Sequence, residues 1–250
     1  MSDLQATARA TKQAIVRLGG GFMISREAKA YGERLGLPGW TPYMRGRCGV
    51  LGDVDADVVT AAVGFFHPAT VRTAWEAGGA VPAAEAAHRY AGACQDYGRR
   101  KLAGFGGADR LAELIEPVVR HADVTAAPLF AGWRALPLPA DGPARAQQLT
   151  HVLRELRGGC HLAAVLATGS TPLQSVLCGG AYPISDGPGN ARYFGWPDPF
   201  EEVTEEMRDR RARAEELTDA LTAPAFAALT EAERDELIDL LDKAFATAFS

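Results

Sequence analysis

The strongest chemical signal in the sequence is a pair of ionisable side chains four residues apart. Arg157 and His161 lie in the run Leu153-Arg154-Glu155-Leu156-Arg157-Gly158-Gly159-Cys160-His161, and on a continuous helix they share one face. A cation in that position depresses the imidazole pKa and keeps the ring neutral near pH 7, as a general base requires. Cys160 then points about 100° away. Gly158 and Gly159 each cost about 1 kcal/mol relative to Ala inside a helix, so a close backbone approach or a kink must want them there. The same residues suit a plain structural role, with Arg157 paired to a buried carboxylate and His161 satisfied in the core.

His67 stands between Phe66 and Pro68. Proline disfavours helical geometry at the residue before it, which places His67 at a junction between two helices. A neutral imidazole there can serve as acid, base or ligand, or merely cap a carbonyl. Tyr43, Arg45 and Arg47 form a third group, in which the guanidinium forks could line a site for an anion or a carbonyl; simple surface arginines are the alternative. The stretch 179–199 is rich in Gly, Pro, Asp and Asn, yet carries Tyr182, Tyr193, Phe194 and Trp196. Flexible linkers are poor in aromatics, so an ordered loop laid over the core is expected, either as a lid or as a structural wrap. His88, His121 and His151 fall on polar helix faces and are expected to be exposed.

Other chemistries lack their motifs. There is no G-x-G-x-x-G between strand and helix, no Walker A loop, no G-x-S-x-G elbow and no H-E-x-x-H helix. Cys48, Cys94, Cys160 and Cys178 are scattered without a CxxC pair, which speaks for reduced thiols rather than a zinc module.

The elements that must position these residues are helices. Val58, Ala62, Phe65 and Phe66 recur at intervals of three and four, and so do Ala87, Tyr90, Ala91, Cys94 and Tyr97 after Pro82. Thr230 and Glu233 form a capping box, followed by Leu237, Leu241, Phe245 and Phe249 at spacing four. Further helices are expected at about 4–18, 25–36, 69–77, 108–121, 143–157, 161–168 and 201–220. Gly169-Ser170-Thr171 reads as a helix-ending turn, and 134–144 as the best internal boundary. No segment alternates with period two.

Composition narrows the class. The 250 residues carry 47% hydrophobic and 23% charged side chains, as a globular chain does, and a net charge of −5. Nucleic-acid binding needs a basic face, whereas Arg208 to Arg213 is interleaved with Glu205, Glu206, Glu215 and Glu216 and reads as a solvated helix face. The longest apolar stretch, Leu162 to Ala167, is far below the roughly 20 residues of a membrane span, and the N-terminus lacks a signal-peptide pattern. A cytoplasmic protein is expected.

Taken as a set, these segments resemble a large actinobacterial family described as helix-turn-helix or winged-helix-like. Its members read approximately YFxxRxxPLG, then F-N-F-x-P-x-x-V, then LREHRGDxHxAAL, and end with a TD-containing helix. The corresponding stretches here are Tyr43 to Gly52, Phe65 to Val71, Leu153 to Val165, and Leu217-Thr218-Asp219. Leu156 stands where the family has a His and Gly159 where it has an acid. Arg192 to Pro199 replaces the hairpin-like RGL-x-D-x-G-x-LT segment. The resemblance implies a winged-helix DNA-binding regulator. Without the hairpin, and with an acidic charge balance, nucleic acid is not expected as a partner.

The combined expectation is a mainly α fold, a multi-helix bundle with a degenerate helix-turn-helix in its second half. Halves 1–135 and 136–250 would form one compact unit with a pocket between them. The expected function is a small-molecule enzyme or binding protein of actinobacterial specialised metabolism, such as antibiotic biosynthesis. Its chemistry would be of the lyase, isomerase or cyclase type, with no metal and no cofactor. His161 would be the base, Arg157 would hold a developing oxyanion and His67 would be the acid. Tyr43, Arg47, Cys160, Tyr193, Phe194 and Trp196 would bind the substrate. Two alternatives stay open: a ligand-responsive helix-turn-helix transcriptional regulator, and a haem or metal protein using His67, His161 or Cys160 as ligands. A small-molecule ligand is the expected partner, no membrane is involved, and a homodimer is an option.

Overall fold

The computed structural model describes residues 4–179, 184 and 186–250. The first part of the chain runs α1 (Leu4–Gly21), α2 (Arg26–Leu35), α3 (Thr41–Cys48), α4 (Ala56–Val63), α5 (Pro68–Ala77), α6 (Ala83–Lys101), α7 (Ala108–His121) and α8 (Pro128–Arg134). It continues through α9 (Gly142–Ala167), α10 (Pro172–Leu177), α11 (Gly187–Tyr193), α12 (Glu205–Thr222) and α13 (Glu231–Phe249). Among the described residues there is no strand, and the architecture is a multi-helix, all-α bundle. Tyr182 lies outside the described residues.

Local sequence sets most helix ends. The Asp141 carboxylate accepts from the Ala144 N–H ahead of α9, with Pro143 in the first turn. Thr171 with Gln174, and Thr230 with Glu233, close reciprocal capping boxes on α10 and α13. The turn expected at Gly169 is present, with φ +77. One expected stripe is out of register. Gly64 takes φ +65 and ends α4 at Val63, so Val59, Ala62 and Val63 face inward while Val58 is exposed.

Helix α9 is the axis of the bundle, and α1, α6, α7, α8 and α12 all pack against it. The main core gathers Leu18, Phe22, Tyr90, Ile115, Trp133 and Leu149 with Phe226 and Leu241 from the C-terminal helices. A second core, around Met44, Val63, Phe66 and Trp75, joins α3, α4 and α5. The segments expected separately at 143–157 and 161–168 are one helix, continuous through both glycines. Gly159 has a tertiary reason, because a Cβ there would lie 2.7 Å from Ala127 Cβ and 2.9 Å from its Cα. Gly158 has open space where its Cβ would be, and nothing in the structure demands a glycine there.

Candidate functional site

Because α9 is unbroken, Arg157 and His161 do share a face, and α12 packs on it. Arg157 Nη2 donates to Glu215 Oε2 at 2.9 Å and to Asp219 Oδ1 at 3.1 Å. Arg211 reaches the Glu215 carboxylate at 2.6 Å, and Lys12 of α1 pairs with it as well. Arg211 Nη1 also lies 2.7 Å from His161 Nε2. A guanidinium only donates, so Nε2 accepts and the ring is neutral with its proton on Nδ1. Nδ1 then donates to Thr218 Oγ1 at 2.9 Å, and Thr218 Oγ1 donates to the Ala214 carbonyl at 2.6 Å. Burial, and then the Arg211 guanidinium, hold His161 down at about 4. Burial pushes Glu215 up, but Arg211 and Lys12 with the other cations outweigh it and leave it at about 2. The depression of His161 thus comes mainly from burial and Arg211, with Arg157 a lesser contributor. Cys160 is half-buried beside this network, and burial raises its thiol.

A second charged cluster lies deeper. Arg47 of α3 forks onto Glu155 of α9, Nε to Oε1 at 2.9 Å and Nη2 to Oε2 at 2.7 Å. Arg154 adds a bond to Oε1 at 2.9 Å, and Tyr43 Oη lies 2.6 Å from Arg47 Nη1. Glu155 is 1% exposed. Burial pushes it up, yet Arg47 and Arg154 bring it well below the ordinary carboxylate range. His151, expected to be exposed, is instead fully buried between Phe22 and Trp133, with ring centroids 4.8 and 4.3 Å away. Its Nδ1 faces the Gly19 carbonyl at 3.0 Å, and burial lowers it to about 3. Polar neighbours in sequence had suggested a polar face, but α9 is covered on nearly every side. His88 and His121 are exposed as expected.

The remaining expected residues meet in an aromatic cluster. Tyr193 of α11 packs on Trp40 at 4.8 Å, Trp40 on Tyr43 at 5.4 Å, and Phe66 on both Tyr43 and Phe194, at 5.4 and 4.6 Å. His67 is the N-cap residue of α5; its N–H donates to the Phe194 carbonyl at 3.0 Å and its ring meets Trp196 at 5.1 Å. Trp196 Nε1 donates to the Phe65 carbonyl at 2.8 Å, and the Phe65 ring lies 5.6 Å from His161. Phe65 therefore stands between His67 and His161, and the structure brings Tyr43, Arg47, Tyr193 and Phe194 into one neighbourhood and Arg157, Cys160 and His161 into another. The enclosed space beside Arg157, lined also by Thr11, Asp219 and Thr222, measures about 10 Å³, room for about one water. Among the described residues no set of three or more His, Cys, Asp or Glu is placed to hold a metal ion, and no described helix is long and apolar enough to cross a membrane.

Sequence reasoning missed Glu155, His151, Arg211, Glu215, Thr218 and Asp219. A carboxylate at 155 among Val152, Leu153 and Leu156 was a visible sign of a buried pair. Nothing local told Arg211 and Glu215 apart from their solvated neighbours. Arg208 with Glu205 forms the expected outer face, Arg210 pairs with Glu206 and also reaches the Gly169 carbonyl, and Arg211 and Glu215 turn towards α9.

The family model of a helix-turn-helix family matches residues 8–250, nearly the whole chain. Comparison with curated proteins and with solved structures returns no match. The match overturns two expectations: the acid–base enzyme as the leading function, and the exclusion of nucleic acid as a partner. The geometry supplies a physical reason for the first correction, since both ring nitrogens of His161 and Nη2 of Arg157 are engaged within the fold. For the second, overall charge was a poor guide, because net charge averages over faces that never meet the same partner. The chain belongs to the helix-turn-helix family.

Proposed function

We propose that this member of the helix-turn-helix family is a ligand-responsive, DNA-binding transcriptional regulator that works in the cytoplasm. The observation that carries the reading is the family match over residues 8–250. The helical unit formed by the end of α9, α10 and α11 is its DNA-facing part. Only residues 168–171 separate α9 from α10, a short turn set by the left-handed Gly169 and the Thr171 capping box. Helix α11 packs on α10 through Val176, Leu177 and Ala191, with Phe194 and Trp196 alongside. Arg192 on α11 and Arg208 and Arg213 on α12 are exposed beside that unit; Arg192 is forked onto Asp198 and Arg208 pairs with Glu205, and a phosphate would take the place of these exposed carboxylates.

Phosphate contacts release counterions, so binding carried by a few arginines falls steeply with salt. Gel shift and anisotropy with the full chain and DNA from its own upstream region should show saturable binding at low salt. The log of the affinity should fall against log salt by about 0.9 per phosphate contact. Arg192→Ala should weaken binding and flatten that slope by about one contact. No retention of any fragment at low salt overturns the reading.

A further inference from the structure

The packing of α9 gives no account of Gly158. A glycine inside a helix costs about 1 kcal/mol relative to Ala, yet no atom lies within 4 Å of where a Cβ would stand. Gly158 is nevertheless half-buried, so its walls stand off at a distance and the bare backbone floors a recess. Arg154 lies one turn before it, and His161 and Leu162 one turn after, all on the same face of α9 and all half-buried. Tyr43 of α3 stands on one side, joined to α9 through Arg47 and Glu155, and Arg211 of α12 on the other, joined through His161.

The recess carries an excess of positive charge. Arg9, Lys12, Arg47, Arg154, Arg157 and Arg211 share the carboxylates of Glu155, Glu215 and Asp219, and pair with no other among the described residues. His151 and His161 are both neutral at pH 7 and offset nothing. Donor capacity is left over as well. Arg154 gives Nη1 to Glu155 Oε1 at 2.9 Å, its Nε and Nη2 have no acceptor among the described residues, and the side chain is 24% exposed. Tyr43 Oη accepts from Arg47 Nη1 at 2.6 Å, which leaves its own hydrogen to give, and Arg154 is near enough for its charge to act on that hydroxyl. The acceptors close by are taken, since Glu155 is forked by Arg47 and His161 Nε2 accepts from Arg211.

Unspent donors under surplus cations call for an anion. A phosphate monoester brings close to two negative charges at neutral pH and three acceptor oxygens, and the arginine fork fits it. A carboxylate brings one charge and two oxygens. We propose that the recess over Gly158 binds a phosphate group, its oxygens on the Arg154 guanidinium and the Tyr43 hydroxyl, in the field of Lys12 and Arg211. The site does not rest on the regulator reading above.

Inorganic phosphate is the probe, titrated into the full chain at fixed ionic strength with chloride and acetate for comparison. Phosphate at about 10 mM should raise Tm by a few degrees, and acetate by less than half as much. Gly158→Leu puts a side chain into the recess without touching a charge, and should remove the phosphate shift. By calorimetry, Tyr43→Phe should weaken phosphate binding about fivefold and Arg154→Met at least tenfold, with urea titrations to show that each variant is folded. No shift beyond that of chloride, an equal shift with acetate, or an undiminished shift in Gly158→Leu overturns the site. Gel shifts with Gly158→Leu separate the two sources of the phosphate. A loss of DNA affinity, with a salt slope lower by about one contact, assigns the site to the DNA backbone. Unchanged DNA affinity with phosphate binding lost assigns it to a free phosphorylated ligand. Phosphate binding by a chain that retains no DNA leaves the site standing and overturns the regulator reading.

Discussion

Glu155 and His161 sit about 9 Å apart along α9, and each anchors a cluster of arginine, carboxylate and histidine. The chemistry is nearly the same, but the depth is not. Around Glu155 the polar company among the described residues includes Arg47, Arg154, Tyr43 and His151, enclosed by Phe22 and Trp133. Around His161 the hub is Glu215, which is 25% exposed and shared among Lys12, Arg157 and Arg211. The Glu155 pair is closed to water and has Arg154 as its one further cation, whereas the edge network has water and two spare cations to fall back on. One helix thus carries both a rigid joint to α3 and an adaptable joint to α12.

Breaking one partner in each cluster is the sharpest test of this contrast. Arg47→Met leaves Glu155 charged and buried, and should cost about 3–5 kcal/mol. The double variant Arg47→Met/Glu155→Leu should recover most of that loss, since a buried pair adds little over apolar packing. Arg157→Met leaves Glu215 with Lys12 and Arg211 and leaves Asp219 with Arg9 at 3.8 Å, and should cost about 1–2 kcal/mol. Urea titrations of the wild type and the three variants measure all three differences, and equal losses for Arg47→Met and Arg157→Met would erase the distinction.

Acid should probe both histidines. Each has a folded pKa below its ordinary 6.5, His161 at about 4 and His151 at about 3. Below pH 6.5 the unfolded chain takes up protons that the folded chain refuses. The stabilisation is therefore complete above 6.5 and declines as pH falls towards 4 for His161 and 3 for His151. Glu215 adds a separate loss between about 4.5 and 2, as its depressed carboxylate is protonated. His161→Gln should remove part of the slope of stability against pH between 6.5 and 4, worth roughly 2 kcal/mol, and leave the His151 part. An unchanged slope in that variant would show that the edge cluster does not hold its histidine neutral.

Effects of opposite sign fall on the two glycines between the clusters, the smaller of them at Gly158. Gly158→Ala meets open space and should stabilise the helix by up to about 1 kcal/mol. Gly159→Ala presses on the Ala127 backbone and should destabilise by about 1–3 kcal/mol. Opposite signs in thermal melts confirm that only Gly159 is there for a close approach, and a loss at both positions would mean that α9 needs its freedom at 158 too.

What the sequence determined by itself was local. The Thr230 capping box, the Gly169 turn and Pro68 after His67 act within a few residues, and each appears where expected, whereas the apolar stripe of α4 was shifted by the left-handed Gly64. The nearness of Arg157 and His161 on one face was legible for the same reason. The short helices α3, α8, α10 and α11 were not, because their few residues hold their shape through packing rather than propensity. Nor could spacing tell which charges of α12 turn inward. Arg211 and Glu215 differ from Arg210 and Glu216 only by the face they present, and α9 decides that face by lying against it. His151 shows the same limit, since its fate was set by Phe22 and Trp133, both earlier in the chain and on other helices, the first well over 100 residues away. Burial is a property of the assembled bundle, and burial is what turns an arginine, a carboxylate and a histidine into a fixed joint instead of a reactive site.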